Sequence, residues 1–250
     1  AYYEDIEDNE SERLISVLRE QHNLLVTGII FPNDWDEVQR RGYESNVFLE
    51  INNNTKGVEK DLRIHIESLK DPFSGIAIAR KVLEKLNDDS VFKDMFQLSL
   101  VETAPIKVAS IMQFALSSLV EPDLNANGFY KYWVPTNGFI KTNKMDFELL
   151  KEYINYCYSS LKIFFSAVKF RFNDYWNDEN AKILKVVSIN GFIIAFHKSL
   201  DLTNGPQNFE YYKTILKNLD VDFSKDVFPY SGSTYNKFAE EKIIPIFLKK

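Results

Sequence analysis

Apolar residues recur along the second half of the chain with the three- or four-residue spacing of a single helix face. They are Leu150, Ile154, Cys157, Leu161, Phe164, Val168 and Phe172. This spacing predicts one long helix that begins near Met145. Further helices are predicted at residues 10–22, 33–52, 59–69, 74–86, 90–98, 105–120, 178–200 and 207–219, with an amphipathic helix closing the chain after residue 233.

Local sequence chemistry refines this outline. The segment LLVTGIIF at 24–31 is rich in β-branched residues and stops at Pro32, which predicts a strand. Asn33 or Asp34 is a candidate N-cap for the helix that follows. The pair Asn190-Gly191 predicts an interruption within the helix at 178–200.

Residues 121–144 are rich in Asn, Gly and Pro and predict a loop or an insertion. Tyr130, Tyr132 and Trp133 alternate there with Lys131. Exposed, these aromatic side chains would stack on nucleic-acid bases. The commoner arrangement is that aromatic residues pack a long loop against the body of the protein.

Composition indicates a soluble, cytoplasmic protein. The 250 residues can bury a large core, and 20 Phe and 13 Tyr predict that this core is aromatic. The single cysteine, Cys157, cannot form an internal disulfide, which fits a reducing compartment. The acidic first residues do not resemble a signal peptide, and the near-apolar run at 186–196 is too short to span a bilayer, so we expect no membrane partner.

Charge and motifs exclude several function classes. A net charge of −6 means that any contact with DNA needs a local basic patch. The candidate DNA-binding residues are Arg40, Arg41, Lys162, Lys169 and Lys185, with Arg171 and Lys182 beside them; charges of this kind more often only solubilise helices. The three histidines are far apart, no P-loop or catalytic motif is present, and Cys157 lies on an apolar stripe, so neither a metal site nor a nucleophile is predicted.

One stretch carries a more specific pattern. It is Phe48-Leu49-Glu50-Ile51-Asn52, followed by Lys56-Gly57-Val58 and Leu62. Arg13-Leu14 and the strand predicted at 24–31 precede it. This order resembles the DGQHR-domain family, which is related to the DndB proteins of DNA phosphorothioation operons. Where the family has DGQHR, this chain has residues 8–13, in which the Gly, Gln and His are missing. Members also carry a longer segment ahead of that motif, so we expect the DGQHR-type portion to be degenerate or incomplete.

The resemblance implies an α+β, predominantly α-helical fold. A small ParB/sulfiredoxin-like α/β portion at 1–104 would precede a helical domain at 105–250, with the loop or insertion at 121–144. The resemblance also implies a bacterial protein of a DNA-modification or anti-phage defence system, with DNA, proteins of the same operon or further copies of itself as partners.

By the same resemblance, Arg13, Asn52 and Lys56 would bind nucleotide phosphates. Six carboxylates at 4–12 oppose an anion there unless Mg²⁺ bridges them, so a nucleotide with Mg²⁺ is the implied cofactor and nucleotide hydrolysis a candidate activity. The alternative is a non-catalytic DNA-binding transcriptional regulator or assembly subunit, and a structural adaptor is a third hypothesis. Simpler roles are a helix C-cap for Asn52, a surface position for Lys56 and pairing of Arg13 with Glu10 or Glu12.

Overall fold

A computed structural model of the protein describes residues 16, 28–53, 60–98, 103–136 and 146–248, and for residues 48–53, 60–63 and 65 it describes the backbone alone. Within these ranges the chain is predominantly α-helical, with one sheet of two short parallel strands. The chain separates into two compact units, Ala1–Asp36 and Glu37–Lys250.

The second unit contains ten helices and two strands in its described part. They are α1 (Glu37–Asn53), α2 (Lys60–Lys70), α3 (Gly75–Asp88), β1 (Phe96–Gln97), β2 (Ile106–Lys107), α4 (109–120), α5 (Phe129–Tyr132), α6 (Phe147–Arg171), α7 (Asn173–Trp176), α8 (Val186–Thr203), α9 (Phe209–Leu216) and α10 (235–248). Helix α4 contains a π-helical turn at Met112–Leu116, and α10 contains one at Ala239–Ile243.

Side-chain caps mark where helices α3 and α6 begin. The Ser74 hydroxyl accepts a hydrogen bond from the Ala77 N–H at the start of α3. The Asp146 carboxylate accepts one from Leu149 at the start of α6, over 2.8 Å. Such caps satisfy backbone donors that the first helical turn leaves free. They therefore anchor α3 and α6, the two helices that form most of the candidate site.

The long helix α6 confirms the prediction from its apolar stripe. It packs against α3 on one side and α9 on another. The ring of Phe164 lies at the centre, with its centroid 4.7 Å from Phe196 of α8 and 5.2 Å from Tyr212 of α9. Offset and edge-to-face pairs of this kind add to the energy of area burial. The predicted aromatic core is therefore present, and α6 runs through its centre.

Between residues 90 and 108 one predicted helix is wrong, and the predicted start of the next helix is shifted. Residues 90–94 form turns rather than a helix, because the Asp89 carboxylate accepts a hydrogen bond from the Val91 N–H and Asp94 has φ +56°. Phe96 then pairs with Ile106 in the parallel sheet. Because β2 occupies 106–107, α4 begins at Ala109 instead of Pro105.

Other predicted boundaries also shift. Helix α1 begins at Glu37 rather than at an Asn33 or Asp34 cap, because a turn closed by the Trp35 N–H and the Pro32 carbonyl precedes it. Helix α8 begins at Val186, not at 178, and Asn190-Gly191 does not interrupt it. A Cβ at Gly191 would lie 2.4 Å from the Phe238 ring, so this glycine provides close packing against α10.

The predicted strand at 24–31 is described only from residue 28, and residues 28–31 are not in a strand. Ile30 is 97% exposed there, so the apolar pattern does not correspond to burial in this segment. Of the helix predicted at 10–22, the structure describes Ser16, which is helical. The division at residue 104 stays a prediction; β1 and β2 pair across it.

Candidate binding cavity

A cavity of about 460 Å³ lies between the α1–α2 hairpin and the paired helices α3 and α6. Its wall is mostly apolar, and cationic side chains stand around it. The lining residues are Val38, Arg41, Ser68, Leu69, Pro72, Ala77, Arg80, Lys81, Lys85, Phe147, Leu150, Lys151 and Ile154. This combination can hold an organic anion that has an apolar body.

Helical spacing explains why these residues share one wall. Ala77, Lys81 and Lys85 follow each other at intervals of four along α3. On α6 the lining positions 147, 150, 151 and 154 occupy the first two turns at the spacing of one face. Residues three or four apart lie above one another on a helix. Each helix therefore presents both apolar and cationic side chains to the cavity.

Three of the five cations are partly neutralised. Arg41 forms a very short contact with Glu37. The Arg80 Nε lies 3.1 Å from the Glu84 Oε1, and the Lys81 Nζ lies 2.8 Å from the Glu84 Oε2. Glu84 thus forms ion pairs with both Arg80 and Lys81. Neither Glu84 nor Glu37 lines the cavity.

The two other cations, Lys85 and Lys151, have no carboxylate within salt-bridge distance among the residues that the structure describes. The Lys85 Nζ lies 5.8 Å from the centre of the Tyr158 ring, a cation–π distance. The described lining residues therefore include five cations and no carboxylate, a composition that favours an anionic ligand.

The described part of the cavity wall contains cationic side chains but no acidic ones. No Asp, Glu, His or Cys is among its described lining residues. Mg²⁺ prefers carboxylate and water oxygens, so these side chains do not provide a magnesium site. The described lining offers groups that can bind an anion.

The predicted phosphate site is only partly described. Arg13 and Lys56 lie outside the described residues, and their convergence with Asn52 stays a prediction. Asn52 lies in the last turn of α1, which ends at Asn53, and its side chain is not described. The Phe48–Asn52 motif is therefore helical backbone. The same helix carries Arg41, which lines the cavity, and Arg40, which is exposed.

Two of the lysines predicted to bind DNA make contacts within the protein, and their binding of DNA stays a prediction. The Lys162 Nζ lies 2.7 Å from the Asp89 Oδ2, and the Tyr158 hydroxyl donates to the same oxygen over 2.8 Å. The Lys169 Nζ donates to the Ser90 carbonyl over 2.8 Å. Both lysines thus tie α6 to the turn that follows α3.

Asp89 is the centre of this contact. Burial by itself raises the pKa of its carboxyl, but hydrogen bonds from Lys162, Tyr158 and the Val91 N–H outweigh that effect and lower the pKa to about 2. The Asp89 side chain is only 10% exposed, whereas that of Lys162 is 43% exposed, so solvent screens the pair in part. The ionised form of Asp89 therefore stabilises the folded state.

The remaining predicted basic residues differ from one another. The Arg171 guanidinium donates to the Leu216 carbonyl at the end of α9 over 3.3 Å, so it has a structural contact. Lys185 is exposed just before the first turn of α8. Of the lysines named above as DNA-binding, Lys185 is the one whose ammonium group makes no ion pair or hydrogen bond within the described residues.

The aromatic residues of the 121–136 segment pack inward. Tyr130 is fully buried and Trp133 is 2% exposed, and their rings lie 5.3 and 5.1 Å from that of Tyr153. Tyr132 donates a hydrogen bond to Asp201 over 2.5 Å. The stacking of Tyr130 and Trp133 on bases is thereby contradicted. The alternative, that they hold the segment against the body, is confirmed.

Sequence patterns gave no indication of the cavity. Its wall combines side chains from 38–41, 68–85 and 147–154, and only the tertiary contact between these segments brings them together. One signal is visible in retrospect: α6 opens with an exposed Phe147 and with Lys151 on its apolar face.

Comparisons with models of protein families, with curated proteins and with solved structures found no match. No helix in the described part of the chain has the length and apolar character to cross a bilayer. The described residues also contain no group of three or more His, Cys, Asp or Glu side chains arranged to hold a metal ion.

Proposed function

We propose that this protein is a nucleotide-binding, non-hydrolysing subunit of a bacterial DNA-modification or anti-phage defence system of the DGQHR type, acting in the cytoplasm. The cavity carries the proposal, because it joins an apolar wall to an excess of cations. The resemblance of Phe48–Asn52 and of the residues after it to the DGQHR family suggests nucleotides as the class of anion. A ParB/sulfiredoxin-like arrangement of the first part of the chain belongs to the same proposal.

The size and chemistry of the cavity suit a nucleotide. About 460 Å³ lies within the range of roughly 300–1,000 Å³ that small-molecule sites occupy. A base would lie against Leu69, Phe147 and Ile154, where apolar and aromatic surface is available. The phosphates would lie towards Lys85 and Lys151, neither of which forms an ion pair within the described residues.

Binding without hydrolysis follows from the side chains in the wall. Because no carboxylate lines the cavity among the described residues, Mg²⁺ would be held by the phosphates of the nucleotide rather than by the protein. This supports the non-catalytic alternative, a regulator or assembly subunit. DNA binding by that alternative would depend on Arg40 and Lys185, since Lys162 and Lys169 have contacts inside the protein.

Equilibrium binding of ATP and GTP, with and without Mg²⁺, tests the proposal. Reversing the charge in Lys151→Glu should weaken binding about tenfold or more, the effect expected when a charged contact becomes repulsive. The matched control is Lys217→Glu, at an exposed position just after α9 and outside the cavity.

We expect no nucleotide turnover in the wild type. Absence of nucleotide binding, or equal affinities in both variants, would refute the cavity as the site. Steady nucleotide turnover that persists after the protein has been purified to homogeneity would refute the non-hydrolytic role.

A further inference from the structure

Helix α1 forms one wall of the cavity, and its first part, residues 37–47, buries little of its own surface. Between Glu37 and Val47, where side chains are described, Ser45 is the single buried residue. Helix α3, on the opposite wall, buries seven of its fourteen residues. Apolar burial is the main favourable term in packing, so this first part of α1 is held less firmly than α3.

The contacts of α1 are mostly with α2. The two helices pack as a hairpin, and the backbone of α1 at Gly42 approaches the Lys70 carbonyl. Helix α2 in turn packs on α3 and buries Ile64 and Ile66. Where α1 faces α3 and α6, the space is the cavity itself, with Val38 and Arg41 on the α1 side.

A ligand in this space would supply the contacts that α1 lacks. Its apolar body would touch Val38 on one side and Ala77 and Ile154 on the other, and its anionic groups would attract Arg41 as well as Lys85. Anything that binds the closed arrangement better than the open one shifts the population towards the closed arrangement.

We propose that nucleotide binding in the cavity fastens α1 onto α3 and α6, so that this helix reports whether the site is occupied. The inference rests on the proposed nucleotide binding and adds its consequence. Because the Phe48–Asn52 motif is the last part of α1, ligand occupancy is transmitted to the segment that resembles the DGQHR family. The mechanism is a shift in the population of α1 from the open to the closed arrangement.

Hydrogen exchange and limited proteolysis measure this directly on the whole chain. Trypsin can cut after Arg40 and Arg41, which are exposed on α1 but protected while the helix is formed. With ATP at about ten times its Kd, cleavage at these two bonds should slow about tenfold if only the closed arrangement binds. Amide exchange in α1 should slow by a similar factor, while exchange in the middle of α6 stays unchanged.

A cavity-filling variant provides a second, independent test. Val38→Trp places a large apolar side chain into the cavity from α1, where the native residue is half-buried. It should protect α1 without nucleotide and abolish ATP binding. Glu44→Trp, at an exposed position of the same helix outside the cavity, is the matched control and should do neither.

The possible failures are distinguishable. If ATP binds and Lys151→Glu weakens it, but cleavage and exchange in α1 do not change, the coupling is refuted and the binding site stands. If ATP does not bind, the proposed function falls and the coupling falls with it. If Val38→Trp abolishes ATP binding yet leaves α1 as open as before, the fastening of α1 is again refuted.

Discussion

The carboxylate of Asp89 gives the sharpest quantitative prediction from this structure. Asp89→Asn keeps the size of the side chain and an acceptor for the Val91 N–H, but it removes the charge that Lys162 contacts over 2.7 Å. We expect the variant to fold and to be less stable at neutral pH. The loss reflects the tie between α6 and the turn after α3.

The magnitude follows from the pKa. A carboxyl pKa lowered from 3.8 to about 2 in the folded state corresponds to about 2 kcal/mol of stability at neutral pH. The folded-state pKa of Asp89 is the lower one, so this stability is complete only above about pH 5, well above the unfolded-state pKa. It is lost as the pH falls from about 5 towards 1, because the carboxyl then becomes protonated first in the unfolded and finally in the folded state.

Urea denaturation of the wild type and of Asp89→Asn, at pH 7 and at a series of values down to pH 2.5, measures this difference. The free energies of unfolding should differ by about 2 kcal/mol at pH 7, and the difference should fall to about a third of that value at pH 2.5. Other carboxylates titrate in both proteins, so the difference isolates Asp89. A difference that is absent at pH 7, or that does not change with pH, would refute the role assigned to this carboxylate.

Three further predictions test the packing and the basic residues. Gly75→Ala places a Cβ 2.6 Å from a backbone carbonyl oxygen, so it should lower the free energy of unfolding by about 1–3 kcal/mol in urea titrations. Gly42→Ala is the control, because its Cβ would lie 3.5 Å from the nearest atom and should not destabilise the protein. Equal stabilities of the two variants would contradict the packing at the start of α3. Burial raises the pKa of the Cys157 thiol, so a thiol reagent at pH 8 should label it only as fast as the protein unfolds, and rapid labelling would contradict its place in the core. Lys162→Glu should lower the free energy of unfolding in urea, whereas Lys185→Glu should leave it unchanged. If the protein binds DNA, Lys185→Glu should weaken that binding and reduce its salt dependence by about one ion. The reverse pattern would indicate that Lys162, and not Lys185, contacts DNA.

Helical periodicity predicted the main elements because each depends on local sequence. The apolar stripe of α6 repeats over many turns, and the helical face that it defines is buried in the structure. The start of α3 is marked by Ser74, whose hydroxyl caps the helix. In both cases short-range chemistry and the tertiary fold agree.

Elements that depend on distant partners were predicted wrongly. Strands β1 and β2 are two residues each and are defined by their pairing with one another, so they are too short for a periodic pattern to predict them. The Asn190-Gly191 pair has the composition of a break, but close packing of Gly191 on Phe238 keeps it inside α8. Lysines at 162 and 169 look solvated in sequence, and only the fold shows their contacts at 89–91.

The cavity could not be predicted for the same reason. Its apolar and cationic side chains come from three stretches of sequence, and each stretch alone has the composition of an ordinary amphipathic helix. The sequence instead directed attention to Arg13, Asn52 and Lys56, of which only the Asn52 backbone is described. The two sites are compatible, since α1 carries both Asn52 and the cavity residue Arg41.

Photo-crosslinking with 8-azido-ATP, followed by mass spectrometry of the labelled peptides, tests the central claim most directly. The reactive group lies on the base, so we expect label on peptides that contain Leu69, Phe147 or Ile154, and competition by unlabelled ATP. Label that remains in Lys151→Glu at full yield, label confined to other parts of the chain, or no competable label at all would contradict a nucleotide site in this cavity.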